Sequence, residues 1–265
     1  MKVAILIPAR FASSRYPGKP LVELKGATGA AKPLIQRSFE AARRVRGAAA
    51  VHVVTDDERI AGACLDFGAP VIMTSPHARN GTERCAEALG ELGEVNLVVN
   101  LQGDALLTPA HFVDNLIDAM RHDPEAQVAT PAMRLRPAEV RVLQDEEKAG
   151  RVGGTSVVTD SEERALYFSK RLIPHLPDGA LQAPLSPVKL HVGVYAYRPD
   201  ALRHYAARPP SELELLEGLE QLRFLDAGVP VRVVEVEPPP FALRELNNPE
   251  DVEPIEQALA EAGLE

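Results

Sequence analysis

Positive charge is in short supply. Lysine and arginine number 29 against 38 aspartates and glutamates, a formal net charge of −9. That balance excludes a nucleic-acid surface as the main business of the chain. Cysteine is nearly absent. Cys64 and Cys85 have no metal-ligand spacing and sit in alanine-bearing helical patterns, so two reduced core thiols are expected. Long hydrophobic runs are missing too. "VAILI", residues 3–7, is too short to be a signal peptide or a membrane span, so a cytoplasmic protein without a membrane partner is expected. No internal repeat is visible, and the Walker spacing G-x-x-x-x-G-K-[ST] does not occur. Residues 25–33, "KGATGAAKP", read as a Gly/Ala loop and nothing more.

What is present is a 45% hydrophobic chain of 265 residues, enough for a substantial core. Its first half alternates. Apolar runs at 2–7, 50–55, 70–74 and 95–101 read as strands. Helical patterns at 33–46, 57–67 and 81–92 lie between them, with Ile35, Phe39 and Ala42 on one face of the first. Such alternation predicts βαβ units and a parallel sheet covered on both faces. From about residue 126 the pattern loosens. Strands are expected at 127–135, 154–160, 165–169, 188–198 and 229–237, some of them antiparallel. A Pro-rich loop spans 174–187 and a helix is expected at 211–227. The last helix has Asn248 as N-cap and Pro249 in its first turn, with Val252, Ile255, Leu259 and Ala262 inward.

Ligands of an open α/β sheet bind beyond the carboxyl ends of its strands. Three loops qualify. The first, "PARFASSRYPGKPL" (8–21), is locally basic. Arg10, Arg15 and Lys19, with Ser13, Ser14 and main-chain N–H groups, suit an oligophosphate, although an ordinary solvated loop reads the same way. The second, "SPHARNGTERC" (75–85), holds an Asn80-Gly81 turn and Thr82 as a candidate cap. Its N–H groups suit an anion or a base edge, or simply close a turn. In the third, Gln102 and Gly103 turn the chain and Asp104 follows. A carboxylate there is placed for Mg²⁺ opposite a triphosphate, unless the "GD" is a plain turn. Farther on, Glu214, Glu217 and Gln221 share one helical stripe if 211–227 is continuous, with Leu213, Leu216 and Leu219 facing inward. The stripe suits sugar hydroxyls or is a solvated acidic face. His191 and Tyr195 fall on one face of a strand, where a histidine alone is more often structural.

"PARFASSRYPGKPL", "NGTER", "NLQGD", "ALYFS", "HVGVYAYR", "LELLEGLEQLR" and "NNPEDV" together resemble the CMP-Kdo synthetases (3-deoxy-manno-octulosonate cytidylyltransferases), within the nucleotidyltransferases. The match runs in order through nearly the whole chain. It implies a Rossmann-like α/β sheet of the nucleotide-diphospho-sugar transferase type, mixed, with helices on both faces and a smaller dimerisation part. One domain, 1–265, is expected, with 1–125 mainly for the nucleotide and 126–265 mainly for the sugar and dimerisation. The implied reaction is CTP plus an acidic sugar such as Kdo giving CMP-sugar and pyrophosphate, with Mg²⁺, in a cytoplasmic homodimer. Ala9, Arg10, Arg15 and Lys19 match the nucleotide loop, Gly81 and Gln102 the cytosine side, and Asp104 a magnesium ligand. Lys170, His191, Tyr195, Glu214, Glu217 and Gln221 match the surroundings of the sugar.

The chain departs from the family at several points. Ala105 and Leu106 replace the "EP" of "QGDEP". Ser156 replaces the lysine of "VKVV", Lys170 the arginine of "YFSR", and Ala78 the histidine of "HQSGTER". Asn247 replaces the aspartate of "GVDTPEDL", a second magnesium ligand; its amide can still offer the metal one neutral oxygen but no charge, which leaves Asp104 and the CTP phosphates to hold the metal nearly alone. The triphosphate loop is intact while sugar-side and metal-side positions differ. A different acceptor, or a CTP-binding paralogue with weakened turnover, therefore stays open beside the Kdo reading.

Overall fold

Continuous apolar strands need cover on both faces, and the helices of this chain supply it. The computed structural model describes every residue except Ser13, Ser14, Ala105 and Ala242. A buried first strand, β1 (Val3–Ala9), runs into the basic loop, which ends in a 3-10 turn at Lys19–Leu21. β2 (Glu23–Lys25) and β3 (Ala31–Pro33) form a small hairpin. Then follow α1 (Leu34–Ala42), β4 (Ala50–Thr55), α2 (Glu58–Asp66), β5 (Val71–Met73), α3 (Gly81–Glu87) and β6 (Leu97–Leu101). The second half contains α4 (Ala110–His122), β7 (Val128–Arg134), α5 (Pro137–Lys148), β8 (Ser156–Thr159), β9 (Ala165–Ser169), β10 (Lys189–His191) and β11 (Val194–Tyr197). It closes with α6 (Pro199–Ala206), α7 (Glu212–Glu217), α8 (Leu222–Asp226), β12 (Val231–Glu235) and α9 (Val252–Glu261).

The large sheet runs β5-β4-β1-β6-β11-β7-β10-β8-β9, with β12 alongside β7. Its first four strands are parallel. From β11 onward the pairings are antiparallel, apart from β12 on β7. The expected mixed α/β sheet is what the chain forms. Alternate residues of β1 sort its two cores, as a pleated strand requires. Val3, Ile5 and Ile7 pack with Ile35 and Phe39 of α1 and with Leu116 and Met120 of α4. Leu6 faces the other way, with Cys85 of α3, Leu202 of α6 and Phe224 of α8. A third cluster, including Leu24, Leu34, Leu106, Leu246 and Ile255, seats α9. Both cysteines are buried and unpaired, and burial pushes the Cys64 thiol up to about 12. Among the described residues no helix is long and apolar enough to cross a membrane.

Several expectations need correction. Residues 25–33 are a hairpin turn with its arms, not merely a loop. Gly26 N donates to Ala30 O at 3.0 Å, and the buried Arg37 side chain ties Leu24 O and Ala30 O together. Three helices, α4, α5 and α6, occupy stretches left without an element. The strand expected at 188–198 breaks at Val192-Gly193, so β10 and β11 lie on opposite sides of β7, the first also pairing with β8 and the second with β6. The helix expected at 211–227 also breaks. Gly218 has φ 61°, a left-handed conformation that ends α7. The continuous stripe of Glu214, Glu217 and Gln221 therefore does not exist. Leu213 and Leu216 face solvent, and of the three leucines Leu219 alone is buried. In α9, Ile255 and Leu259 point inward as expected, joined by Ala258, with Ala262 half-buried. Asn248 caps a 3-10 turn, Pro249–Asp251, that precedes the helix.

Candidate active site

The carboxyl ends of β1 and β6 and the start of α3 open onto one cleft of about 490 Å³. Ala9, Arg10, Arg15, Lys19, Gly81, Gln102, Asp104, Glu214 and Asn247 all line it, drawn from positions as distant as 9 and 247. Ser13 and Ser14 lie outside the described residues, as does Ala105. The turn after β6 approaches β1 very closely. A Cβ on Gly103 would stand 2.8 Å from Pro8 O, so only glycine fits there. That contact sets Asp104 opposite the basic loop. Lys19 Nζ meets Asp104 Oδ2 at 2.5 Å, with both side chains mostly buried. Arg15 Nη2 donates to Asn247 Oδ1 at 3.0 Å, tying the basic loop to the segment before α9. Asn247 is itself held in place. Its N–H and that of Asn248 both donate to Asp251 Oδ2, at 2.9 and 2.6 Å. Phe11 anchors the loop on its other side, with the Arg59 guanidinium 3.3 Å over its ring and Gly18 N bonded to Phe11 O at 2.9 Å.

The far wall is ionic and buried. Arg223 of α8 donates twice to Glu214, each bond 2.6 Å, and once to Glu83 of α3 at 2.9 Å. Burial alone would lower the Arg223 pKa, but the hydrogen bonds to Glu214 and Glu83 outweigh it and the net shift is upward. Glu83 is likewise raised by burial, yet Arg79 and Arg223 bring it below the usual carboxylate range. Asn80, not Thr82, caps α3. Its Oδ1 accepts from Glu83 N at 2.8 Å, while the Thr82 hydroxyl shares a 3.0 Å bond with Tyr197 OH. The N–H groups expected to be free at this helix start already have a partner. Glu220 accepts from Thr82 N at 3.0 Å, and burial raises its carboxyl pKa against the pull of the Thr82 and Gly81 hydrogen bonds.

The remaining sugar-side positions do not reach the cleft wall. His191, Tyr195 and Gln221 form a cluster behind it. Tyr195 OH donates to Gln221 Oε1 at 2.9 Å, the His191 and Tyr195 rings are 5.4 Å apart, and His191 Nε2 meets Thr130 Oγ1 at 2.9 Å. Desolvation pushes the half-buried His191 imidazole down to about 3. Asn100 sits opposite Tyr195 in the ladder, hence on the same face. Among the described residues its amide and Gln221 Nε2 make no hydrogen bond, although both are buried. Unpaired buried polar groups are costly, and they favour a hydroxyl-bearing ligand or water nearby. Glu217 instead grips the end of β9, accepting from Ser169 Oγ at 2.8 Å and Lys170 N at 2.9 Å. Lys170 Nζ stands 2.9 Å from where a Gly218 Cβ would be, beside the cleft. Ser156, in place of the family lysine, is buried and donates to Arg171 O at 2.6 Å.

Sequence reasoning missed Glu83, Glu220 and Arg223. A glycine inside the Leu/Glu-rich stretch 212–220 signals a helix end and would have separated Glu220 and Arg223 from the supposed stripe.

The cytidylyltransferase family model matches residues 4–233 of this chain. A 3-deoxy-manno-octulosonate cytidylyltransferase of Maricaulis maris (strain MCS10) is 38% identical over 266 residues, covering 99% of each chain. An 8-amino-3,8-dideoxy-manno-octulosonate cytidylyltransferase of Shewanella sediminis (strain HAW-EB3) is 40% identical, over 98% of this chain and 99% of its own. A solved CMP:2-keto-3-deoxy-manno-octonic acid synthetase complexed with CTP superposes with a TM-score of 0.84 at 37% identity, covering 99% of this chain and all of the other.

Proposed function

The chain belongs to the cytidylyltransferase family, and from that premise we propose that it moves the cytidylyl group of CTP onto an acidic 2-keto-3-deoxy sugar such as Kdo, releasing pyrophosphate. The observation that carries this reading is the Lys19–Asp104 pair at 2.5 Å, inside a cleft with Arg10 and Arg15 on one side and Gln102 and Gly81 on the other. A cationic wall facing a carboxylate, next to an amide-lined slot, suits a triphosphate, a hard cation and a small base. The Gln102 amide atoms lie 3.3 Å from a Gly81 Cβ position, so the amide packs against the start of α3, where a larger residue than glycine would crowd it.

Arg10, Arg15 and Lys19 take the triphosphate, and Lys19 and Arg15 neutralise the charge that builds on departing pyrophosphate. The anomeric hydroxyl oxygen attacks the α-phosphorus in line, the bond to pyrophosphate breaks, and the acidic hydroxyl proton passes to water. Among the described residues no cluster of three histidine, cysteine or acidic groups could hold a metal unaided. The oxygen donors present, the Asp104 carboxylate and the substrate phosphates, fit Mg²⁺ arriving with the nucleotide. When bound, Mg²⁺ supplies positive charge to the phosphate oxygens. The cluster of His191, Tyr195 and Gln221, with Lys170, Glu214 and Glu217, is assigned to the sugar side. Reduced, buried thiols suit the cytoplasm, and a homodimer is tested by light scattering.

Pyrophosphate release decides the matter. CTP should support release with Kdo and not without an acceptor. The likeness to an enzyme named for an 8-amino sugar makes that sugar the second acceptor to try. Equal turnover with ATP would overturn the cytidylyl assignment, and release with neither sugar would overturn the acceptor class.

A further inference from the structure

Glu220 stands in the cleft with part of its hydrogen-bonding capacity unspent. It lies two residues past Gly218, in the break between α7 and α8, and it lines the cleft together with Gly81 and Gln102. The start of α3 takes one edge of its carboxylate. Glu220 Oε2 accepts from Thr82 N at 3.0 Å, and the Gly81 N–H is drawn to the same group. A carboxylate offers about four lone-pair sites. Among the described residues nothing beyond positions 81 and 82 hydrogen-bonds this one. Its remaining lone pairs face the cleft.

A crowded carboxylate is ordinarily paired with a cation, and this one is passed over by every cation of its wall. Arg223 is spent on Glu214 and Glu83. Arg84 holds Asp56 at 3.0 Å and Thr74 at 2.5 Å, and Arg79 holds Glu83 at 2.7 Å. What Glu220 lacks is a neutral donor, and the open side from which one can come is the cleft. Gly81 separates Glu220 from Gln102. The Gln102 amide atoms are 3.3 Å from a Gly81 Cβ position on one side, and Glu220 bonds the next N–H of the chain on the other. An amide and a carboxylate thus flank a single residue without a side chain, at the place where the proposed reading puts the base. Cytosine and uracil differ most at C4. Cytosine carries an amino group there, a donor, and uracil carries a carbonyl oxygen, an acceptor. A carboxylate accepts from the first and sets lone pairs against the second.

We propose that Glu220 reads the 4-amino group of cytosine and so rejects uracil. The proposal rests on the cytidylyltransferase reading and adds to it the residue that tells CTP from UTP.

The test is calorimetry on the full chain at pH 8, with nucleotide and no acceptor sugar. The parent should bind CTP roughly 20-fold or more tightly than UTP. Glu220→Gln keeps an oxygen for Thr82 N and turns the other edge into an N–H donor, which suits the uracil oxygen and not the cytosine amino group. In that variant CTP should weaken about ten-fold, UTP should bind no more weakly than in the parent, and the preference should fall below about three-fold. Thermal unfolding confirms that the variant is folded. A second arm needs no variant. The triphosphate of pyrimidin-2-one riboside carries only hydrogen at C4, and the parent should bind it about five-fold or more weakly than CTP. Equal losses of CTP and UTP in Glu220→Gln would reduce Glu220 to a brace of α3. An unchanged nucleotide preference with a raised KM for Kdo would turn its open edge toward the sugar. Either result, or parental binding of the pyrimidin-2-one nucleotide as tight as that of CTP, overturns the proposal. A parent that binds CTP no better than UTP would bring down the cytidylyl reading itself, and that is read before any variant is made.

Discussion

The two walls of the cleft are built on opposite plans. The wall proposed for the nucleotide comes from the ends of parallel strands, where a chain reversal puts backbone and short loops at the edge. Arg10 and Arg15 are exposed, and the tight ion pair Lys19–Asp104 joins two loops. The opposite wall comes from α3, α7 and α8, which meet around a guanidinium. Arg223 is 1% exposed and Glu83 and Glu214 are each 7% exposed, so those charges have left water and are tolerated there because they pair with each other. One wall is arranged so that a ligand can displace its contacts. The other ties its charges to one another, by bonds of 2.6 to 2.9 Å around Arg223.

That contrast predicts opposite phenotypes. Arg223→Met should act mainly on stability, because it strands two buried carboxylates. The loss should be about 3–5 kcal/mol, measured by urea denaturation. Lys19→Ala should act mainly on turnover, with about 2–4 kcal/mol added to the barrier and the unfolding midpoint unchanged. Steady-state rates of pyrophosphate release beside a denaturation curve would separate the two. If Lys19→Ala destabilised the fold as much as Arg223→Met, the walls would not differ as described.

A smaller effect concerns pH. His191 is held neutral, with its pKa lowered by desolvation to about 3. In the unfolded chain it takes a proton near pH 6.5. Its contribution to stability is therefore complete above that pH and is lost as pH falls from about 6.5 toward 3. The slope is at most about 1.4 kcal/mol per pH unit, for one proton. Unfolding free energies at pH 7 and pH 5 should differ less in His191→Gln than in the parent. An identical difference would mean that the imidazole is not desolvated. The smallest effect belongs to Gly218→Ala. A left-handed backbone disfavours a Cβ by roughly 1–2 kcal/mol, and the nearest atom is the flexible end of Lys170. A gain in stability would show that the α7–α8 break is not needed.

Legibility in the sequence divides along the same line. That the three loops meet at one cleft was readable because their signals are local. An apolar run such as Val3–Ile7 or Leu97–Leu101 ends, and turn residues with charge follow within a few positions. The opposite wall was not, since Arg223 and Glu83 are 140 positions apart and no periodicity links them. The stripe failed for a different reason. Helical spacing was extended through Gly218, and a glycine in that context ends a helix. α4 was legible and missed, since Phe112, Val113, Leu116, Ile117 and Met120 repeat at helical spacing. α5 and α6 carried a plainer mark, each with a proline in its first turn. The short hairpin of β2 and β3 had no pattern to read, because it is held by the side chain of Arg37 and by contacts with residues near position 265.

The stacking of Arg59 on Phe11 bears on the thermodynamics of nucleotide capture. Restricting one residue of backbone costs about 1–2 kcal/mol in entropy. Asp57, which caps α2, grips the Arg59 guanidinium at 2.9 and 2.6 Å, so the surface beneath Phe11 is itself fixed. The anchored parts of the 8–21 loop, to which the triphosphate is assigned by proposal, have thus surrendered their freedom during folding, once, and do not surrender it again at each encounter with a nucleotide. On the proposed reading, α2 thereby sets part of the affinity for the nucleotide.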